Sequence, residues 1–588
     1  DGLKDYEDGK KEFDEQISDA EQKIADAKQE LADLKKPELY VLTRDTNAGY
    51  VSFESDSTIV EKLSGLFPIF FFLIAALVCS TTMTRMIDDE RTQIGTLRAL
   101  GYSRGSILAK YLLYSGSAAA LGCVIGYFAG GYIFPFVIWT AYGMLYRIPG
   151  FVILYDPVLF VIALAASLLC SAGTTYLALR IEMQNMPANL IRPKTPAVGK
   201  RIFLERITPL WKRLKFLHKV SLRNIFRFKK RMIMMILGIA GCTALVLTGF
   251  GIHDSVANIA NFQFDDIQKY DVSAQFSDTL TEDKINEVES DHKSELDAAT
   301  AVQMTSGDVT GDSITKSAYI VASDDPAITD IFDLHIDGET VPYPGKGEVL
   351  LTEKLAELTD IKTGDTATVS VSDTEKAELK VAGLVENYVQ NYLYMTGETY
   401  AMVADKGYEP KTLLLRVNDS ADEYALSAAL SKTDGVSSVS VVTDTRNMID
   451  QMMQSLNYVV ALVLISAGAL AFIVLFNLGN INLTERVREI ATIKVLGFHS
   501  RETGAYVFRE NIILSMMGIV VGLPLGVLLH TFVLMQIRVD MVSFKAVIAP
   551  VSFFLTVVMV VLFTVITDLV MRKKIAKIDM AESLKSIE

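Results

Sequence analysis

Seven long apolar runs constrain this chain of 588 residues more than any other feature of its sequence. A helix needs about 20 apolar residues to cross the roughly 30 Å hydrocarbon core of a bilayer. The runs are Leu66–Thr84, Ile107–Phe136, Val158–Leu179, Met232–Gly251, Val459–Leu483, Ile512–Leu534 and Ala546–Thr567. Because they are unbroken rather than alternating, we predict a polytopic α-helical membrane protein with seven visible spans instead of a β-barrel.

The charges divide the chain into two sides. The segment from His253 to Gln451 carries 38 Asp and Glu against 14 Lys and Arg, whereas residues 85–110, 180–231, 484–509 and the C-terminus are basic. Because basic connections stay inside, we predict a multi-pass protein of the cytoplasmic membrane with the acidic segment outside. The residues before Leu66 are then outside as well, so we infer that an eighth span precedes Asp1.

The outer part contains two kinds of pattern. Residues 1–36 predict a coiled-coil arm, with a single solvated helix as the alternative, and residues 37–61 (YVLT, GYVSF) predict a membrane-proximal β connection. The heptad positions are Phe13, Ala20, Ala27 and Leu34, interleaved with Ile17, Ile24 and Leu31. Residues 253–455 predict an α+β domain. Its expected strands are 347–352, 366–371, 379–385, 412–417 and 436–442, with a turn at 362–365 and a helix near 421–430.

An internal repeat connects two distant parts of the chain. The segment DDERTQIGTLRALGYS from Asp88 aligns with TERVREIATIKVLGFH from Thr484, with equivalent residues 396 apart. The same offset aligns two glycine stripes, Gly122, Gly126 and Gly130 with Gly518, Gly522 and Gly526. Small residues at this spacing let membrane helices approach closely, so we predict a helix-packing role for all six glycines.

Each repeat contains a short helix with an apolar stripe, a basic flank and a terminal glycine. Such a helix either lies in the lipid interface or docks in a groove of a cytoplasmic partner, and its recurrence favours docking. The predicted docking residues are Ile94, Leu97, Arg98, Leu100 and Gly101 in the first repeat and Ile490, Ile493, Lys494, Leu496 and Gly497 in the second.

No catalytic, cofactor-binding or metal-binding motif accompanies these repeats. The sequence has no G-x-x-x-x-G-K-[ST] loop, G-x-S-x-G or H-E-x-x-H pattern, and no span carries a central charge of the kind that indicates an ion relay. Basic stretches beside a span favour contact with membrane lipids, so no nucleic acid partner is expected. If the chain performs work, the energy for it must come from elsewhere.

The two repeats, which make up nearly all of the membrane portion, resemble the FtsX-like permease family of ABC transporters. This family includes the MacB macrolide exporter, the lipoprotein-releasing permeases and the bacitracin-resistance permeases. Residues 347–385 are similar to the family's periplasmic core-domain strands, and Tyr40–Gly101 looks like the large two-unit permeases of Gram-positive bacteria. The resemblance implies FtsX-like three-span units at 62–195 and 456–588. A cytoplasmic basic amphipathic linker (196–231) and a transmembrane helix (232–252) would join them.

The resemblance also implies that the repeated helices couple the chain to a cytoplasmic ABC ATPase dimer, supplied by a separate polypeptide. ATP and Mg would then bind to the partner, and this chain would be a permease subunit without its own ATPase site. Its movement would drive export, extraction or mechanical signalling outside the membrane. The alternative is a non-transporting surface receptor or cell-wall-hydrolase regulator whose coiled-coil arm binds an extracytoplasmic protein.

Overall fold

The computed structural model describes residues 48–191 and 216–576, apart from 145, 228, 312–313, 373–374, 419, 498 and 538–541, and a few positions among the first 28 residues. Two compact units result, Asp1–Glu54 and Ser55–Glu588. Residues 17–24 are helical. Most of the predicted coiled-coil arm, and the YVLT part of the predicted β connection, lie outside the described residues.

The N-terminal membrane portion is built from helices. They are α1 (Ala48–Asp89), α2 (Arg91–Ala99), α3 (Arg104–Tyr142), α4 (Pro157–Leu168), α5 (Thr174–Met183) and α6 (Pro187–Ile191), with a π-helical turn, Leu169–Gly173, between α4 and α5. Side-chain caps fix two of the starts: Ser103 Oγ accepts from Ser106 N at 3.1 Å, and Asp156 Oδ1 accepts from Val158 N at 2.8 Å. Unpaired backbone donors at a helix start favour such acceptors.

The GYVSF part of the predicted β connection is wrong, because residues 49–53 are helical. They belong to α1, which continues into the first span. Once a helix exists, each added residue gains a backbone hydrogen bond at little further cost. Two aromatic residues and one β-branched residue in this five-residue segment do not outweigh that advantage.

The next membrane helices lead into the outer domain. They are α7 (Phe216–Arg227), α8 (Lys229–Ala257) and α9 (Ile259–Asn261), followed by a π-helix, Phe262–Ile267. Gly518, Gly522 and Gly526 of a later helix pack against α8, and Leu245, Val246 and Leu247 of α8 are almost completely buried. The helix therefore lies at the centre of the membrane core.

The outer domain is α+β, as predicted. Its elements are β1 (Val272–Phe276), α10 (Glu282–Asp291), β2 (Leu296–Thr310), β3 (Thr315–Ala322), α11 (Ile328–Ile331), β4 (His335–Ile336), β5 (Glu339–Thr340), β6 (Glu348–Thr352), α12 (Glu353–Thr359), β7 (Thr366–Ser370), β8 (Lys376–Val385), β9 (Tyr392–Met395), α13 (Gly397–Val403), β10 (Thr412–Val417), α14 (Glu423–Leu430) and β11 (Val436–Val441). The five predicted strands correspond to β6, β7, β8, β10 and β11.

One nine-stranded sheet organises this domain, in the order β11-β1-β10-β2-β3-β9-β6-β8-β7. The long strand β2 also pairs with β7, which closes its second half into a barrel of six strands. The barrel encloses an apolar core that includes Val309, Leu351 and Val381, all fully buried. A second core lies between the β11-β1-β10-β2 portion and the helices α10 and α14.

The C-terminal membrane portion contains α15 (Val442–Glu485), α16 (Val487–Val495), α17 (Ser500–Gln536) and α18 (Pro550–Ala576). Helix α15 has 44 residues and begins directly after β11. At a rise of about 1.5 Å per residue it is about 66 Å long, enough to cross a bilayer and extend beyond it. It is therefore long enough to connect the outer sheet to the far side of a membrane without a break.

Within the described ranges, seven helical stretches are long and apolar enough to cross a membrane. They are Asp56–Asp89, Arg104–Tyr142, Pro157–Met183, Met232–Ile267, Val442–Thr484, Phe508–Gln536 and Pro550–Ile575. Each contains most or all of one of the seven apolar runs. The structure therefore contains seven candidate spans, the number that the sequence predicts.

Candidate functional site

The two repeats place their short helices, α2 and α16, in the same local environment. Both pack on the helices before and after them through equivalent apolar residues. Ile87, Ile94 and Leu179 form part of the first cluster, and Leu483, Ile490 and Ile575 take their places in the second. Each pair is 396 residues apart. The sequence repeat is therefore also a repeat of packing.

The predicted apolar stripe is divided between the interior and the surface. Ile94 and Ile490 are fully buried, and Leu97 and Ile493 are half-buried. In contrast, Leu100 and Leu496 are each 71% exposed. Both leucines are C-cap residues, where the chain leaves the helix and turns away from the stripe. Ile94 and Ile490 hold the short helices in place, and the two leucines are the exposed members of the predicted stripe.

The predicted basic residues anchor the short helices to their own repeats. Arg98 Nη1 donates to the carbonyl oxygens of Met183 at 3.0 Å and Asn185 at 2.5 Å. At the equivalent position, Lys494 Nζ donates to the carbonyl oxygen of Ile575 at 2.8 Å. Carbonyl groups at a helix C-terminus attract cations. Both residues therefore attach the short helix to the end of the third span of its repeat.

Gly101 and Gly497 end the two short helices in the left-handed conformation, with φ of 91° and 92°. Gly101 N donates to Arg98 O at 3.2 Å, and Gly497 N donates to Lys494 O at 3.0 Å. Glycine adopts this conformation without strain. The turn leaves an exposed edge on each helix, formed by Thr96, Ala99 and Leu100 in the first repeat and Thr492, Val495 and Leu496 in the second.

The repeats differ at the residue that begins each short helix. Glu90 precedes α2 and accepts hydrogen bonds from Tyr111 Oη at 2.6 Å and Lys110 Nζ at 3.2 Å, both on α3. The Tyr111 hydrogen bond, assisted by Lys110 and opposed by partial burial, holds the pKa of the Glu90 carboxyl below its ordinary value. Arg486 precedes α16 and forms a buried ion pair with Glu510 on α17. A negative residue in the first repeat and a positive residue in the second thus each connect the start of the short helix to the following span.

A buried polar network occurs in the second repeat and was missed from sequence. Asn482 Nδ2 donates to Asn511 Oδ1 at 2.5 Å, and Asn511 Nδ2 donates to Asp568 Oδ1 at 2.9 Å. These residues connect α15, α17 and α18, and all three are buried. Equivalent positions in the first repeat are Met86, Ser115 and Ala172. The available signal was a polar residue at one end of each apolar run, with Asn482 just inside its run and Asn511 and Asp568 directly outside theirs.

The two glycine stripes have different surroundings. A Cβ added to Gly522 would lie 2.6 Å from Thr243 Cβ and 2.8 Å from the Ala240 carbonyl oxygen. A Cβ on Gly518 would lie 2.6 Å from Ile239 of α8, and one on Gly526 would lie 2.9 Å from Leu247. A Cβ on Gly122 or Gly126 would meet no described atom within 4 Å, and at Gly130 it would meet only Phe134 of the same helix, at 4.0 Å. In the described residues, only the second stripe packs against another helix.

Comparison with known proteins identifies three regions. A family model described as FtsX-like permease C-terminal matches residues 65–183 and 461–580. A second model, MacB-like periplasmic core domain, matches residues 232–433. A search of curated proteins finds no match.

Two similar solved structures are outer domains. The first is the extracellular domain of the noncanonic ABC-type transporter YknZ from Gram-positive bacteria, with 14% identity and a TM-score of 0.23, covering 29% of this chain and 98% of that one. The second is the periplasmic region of MacB from Actinobacillus actinomycetemcomitans, with 14% identity and a TM-score of 0.22, covering 30% and 93%. Because the two family models together match more than half of the sequence, this chain belongs to the FtsX-like permease family of ABC transporters and is a multi-pass protein of the plasma membrane.

Proposed function

We propose that this chain is the permease subunit of an ABC transporter whose ATPase is a separate cytoplasmic protein, and that it transmits ATP-driven movement to its outer domain. In this proposal the exposed edges of α2 and α16 are the two ATPase docking sites, one for each subunit of an ATPase dimer. The two repeats are then two permease units within one polypeptide.

The observation that carries this proposal is the path of α15. One uninterrupted helix runs from β11 of the outer sheet to Glu485, and only Arg486 separates it from α16. Arg486 and Glu510 form a buried ion pair, and breaking such a pair is costly because it leaves an unpaired charge. A displacement at α16 therefore has a stiff route to the outer domain.

Two neighbouring helices reinforce this route outside the membrane core. Arg446 on α15 donates to both carboxylate oxygens of Asp265, at 2.6 and 3.0 Å, and to Asn261 Oδ1 at 2.7 Å. Bidentate pairing fixes the geometry of two groups as well as their distance. Asn261 and Asp265 belong to α9 and the π-helix, which together we call the extension of α8. This extension and the start of α15 are thereby held together where they enter the outer domain.

The orientation follows from the charge distribution. The acidic outer domain, and the arm predicted for residues 1–36, are outside, and α2 and α16 are inside. The chain either moves a cargo or controls an outer protein mechanically. Cargo classes compatible with this family include peptides, lipids and lipoproteins. ATP and Mg are bound by the partner.

Purification of the tagged chain from its native membranes tests this proposal. An ATP-hydrolysing protein should co-purify in mild detergent, and the chain separated from it should hydrolyse no ATP. Recovery of the chain without any ATP-binding protein, even after chemical cross-linking in intact cells, would favour the receptor function instead.

A further inference from the structure

The outer domain contacts the membrane portion at a third place besides α8 and α15. The connection between α17 and α18 includes residues 542–549, which we call the junction loop. Val542 forms an isolated antiparallel bridge with Val389, and Ser543 N donates to the Tyr388 carbonyl oxygen at 2.9 Å. Val389 and Tyr388 lie just after β8 of the outer sheet. The junction loop therefore adds a short strand-like contact to the outer domain.

A buried carboxylate lies at the centre of this contact. Glu386, directly after β8, is 7% exposed. Its Oε1 accepts from Asp337 N at 2.8 Å, and its Oε2 accepts from Lys545 Nζ of the junction loop at 2.8 Å and from Tyr388 Oη. His335 Nε2 lies 3.9 Å from Oε2. Burial would raise the pKa of Glu386, but hydrogen bonds from Lys545, Tyr388 and Asp337 outweigh it and hold that pKa below its ordinary value.

The same segment is fastened to the extension of α8. Gln263 is 1% exposed, and its Oε1 accepts from Tyr388 N at 2.9 Å and Val389 N at 3.0 Å. Its Nε2 donates to Asn387 Oδ1 at 2.9 Å. Gln263 Oε1 thus accepts two hydrogen bonds from the outer domain, and Nε2 donates one to it. Separating buried polar groups from such partners is costly.

The other end of the junction loop is tied to α8 itself. Ala549 N donates to Asp254 Oδ2 at 2.9 Å, and Val547 N donates to Ser255 Oγ at 3.3 Å. The loop thus links α17 to α18 along the chain. It is also hydrogen-bonded to α8, and it contacts the outer domain through Lys545 and Val542. Of the two isolated bridges among the described residues, Val389–Val542 is the one that joins the outer domain to a connection between spans.

We infer that the junction loop is a permanent joint through which movement of α17 and α18 reaches the outer domain, with Lys545 as its positioning residue. This inference rests on the proposed function. Because the contact combines backbone pairing with a buried charge and its cation, the joint stays closed throughout the ATP cycle. The outer domain then moves with α17 and α18 as well as with α15.

A disulfide tests whether the joint stays closed. Val389→Cys and Val542→Cys, in a chain whose four native cysteines are replaced by serine or alanine, should cross-link in most molecules under mild oxidation without ATP, because bridged residues are close neighbours. ATP turnover of the oxidised complex should remain within twofold of the reduced complex. Absence of cross-linking in the isolated chain would exclude the joint, and abolished turnover after cross-linking would show that the contact must open.

A charge substitution tests the role of Lys545. Spin labels at Ser306 in the outer domain and Met144 between α3 and α4, both exposed, report the ATP-dependent change in their separation. Lys545→Met should lose at least half of that change while ATPase binding and monodispersity are retained, and Lys545→Arg should restore it. The matched control is Lys380→Met, which removes an exposed ion pair with Glu348 elsewhere in the domain.

The outcomes separate the two proposals. An undiminished separation change in Lys545→Met, with full ATPase binding, would overturn the joint alone. The unmodified chain could instead show no ATP-dependent change although residues 389 and 542 cross-link efficiently. That result would overturn the proposed function. It would also contradict a role of the joint in transmission, because the joint would then be a static contact.

Discussion

Replacing Leu100 and Leu496 together by aspartate is expected to release the ATPase from the chain. Both side chains are 71% exposed at the ends of equivalent helices. If an ATPase groove buries them, each aspartate becomes an unpaired buried charge, at a cost of about 3–5 kcal/mol. Since about 1.4 kcal/mol corresponds to tenfold in affinity, each site should bind at least a hundredfold more weakly.

Affinity of the purified variant for its ATPase, measured beside membrane insertion and monodispersity, checks this prediction. Folding should be unaffected, because neither leucine contributes to the buried clusters. Leu154→Asp is the matched control, since Leu154 is 90% exposed in the connection between α3 and α4. ATPase affinity within threefold of the unmodified chain, in a variant that inserts normally, would exclude the two exposed edges as docking sites.

Replacing Gly522 by leucine is expected to force α17 away from α8 and to destabilise the membrane core. The added Cβ alone would lie 2.8 Å from the Ala240 carbonyl oxygen, and backbone cannot yield as a flexible side chain can. Overpacking typically costs about 1–3 kcal/mol, and the full leucine side chain adds to the displacement. The protein should therefore lose thermal stability and monodispersity in detergent.

Gly126→Leu is the matched control for this variant. Gly126 is the equivalent residue of the first stripe, and nothing described lies within 4 Å of its Cβ position. Thermal unfolding followed by size-exclusion chromatography should show a large decrease in midpoint for position 522 and little change for position 126. Similar decreases at both positions would disprove the difference between the stripes.

The sequence predicted an element correctly where the residues within that element determine its structure. The seven spans follow from apolar length, and β10 coincides with the predicted strand at 412–417. The strands β2 and β3 were not predicted. The β2 segment consists mostly of small and polar residues, and the β-branched residues Ile320 and Val321 of β3 belong to only a short apolar run. Their positions depend on partners distant in sequence, including β10 and β9. β-Propensity depends strongly on such context.

The candidate site shows the same limit. Helical periodicity grouped Ile94, Leu97 and Leu100 on one stripe, but it contains no information about where the helix ends. The backbone of Leu100 has left the α-helical conformation, with φ of −77° and ψ of 1°. This change places Leu100 at the surface while Ile94 stays in the core. The docking role of either leucine stays a prediction.

The composition of the intact complex tests the central claim most directly. Native mass spectrometry of the complex, extracted from its own membranes in mild detergent, counts the subunits without requiring a known cargo. Because one chain carries two equivalent exposed edges, the account predicts one copy of this chain with two ATPase subunits. A complex with two copies of this chain for each ATPase pair would contradict it.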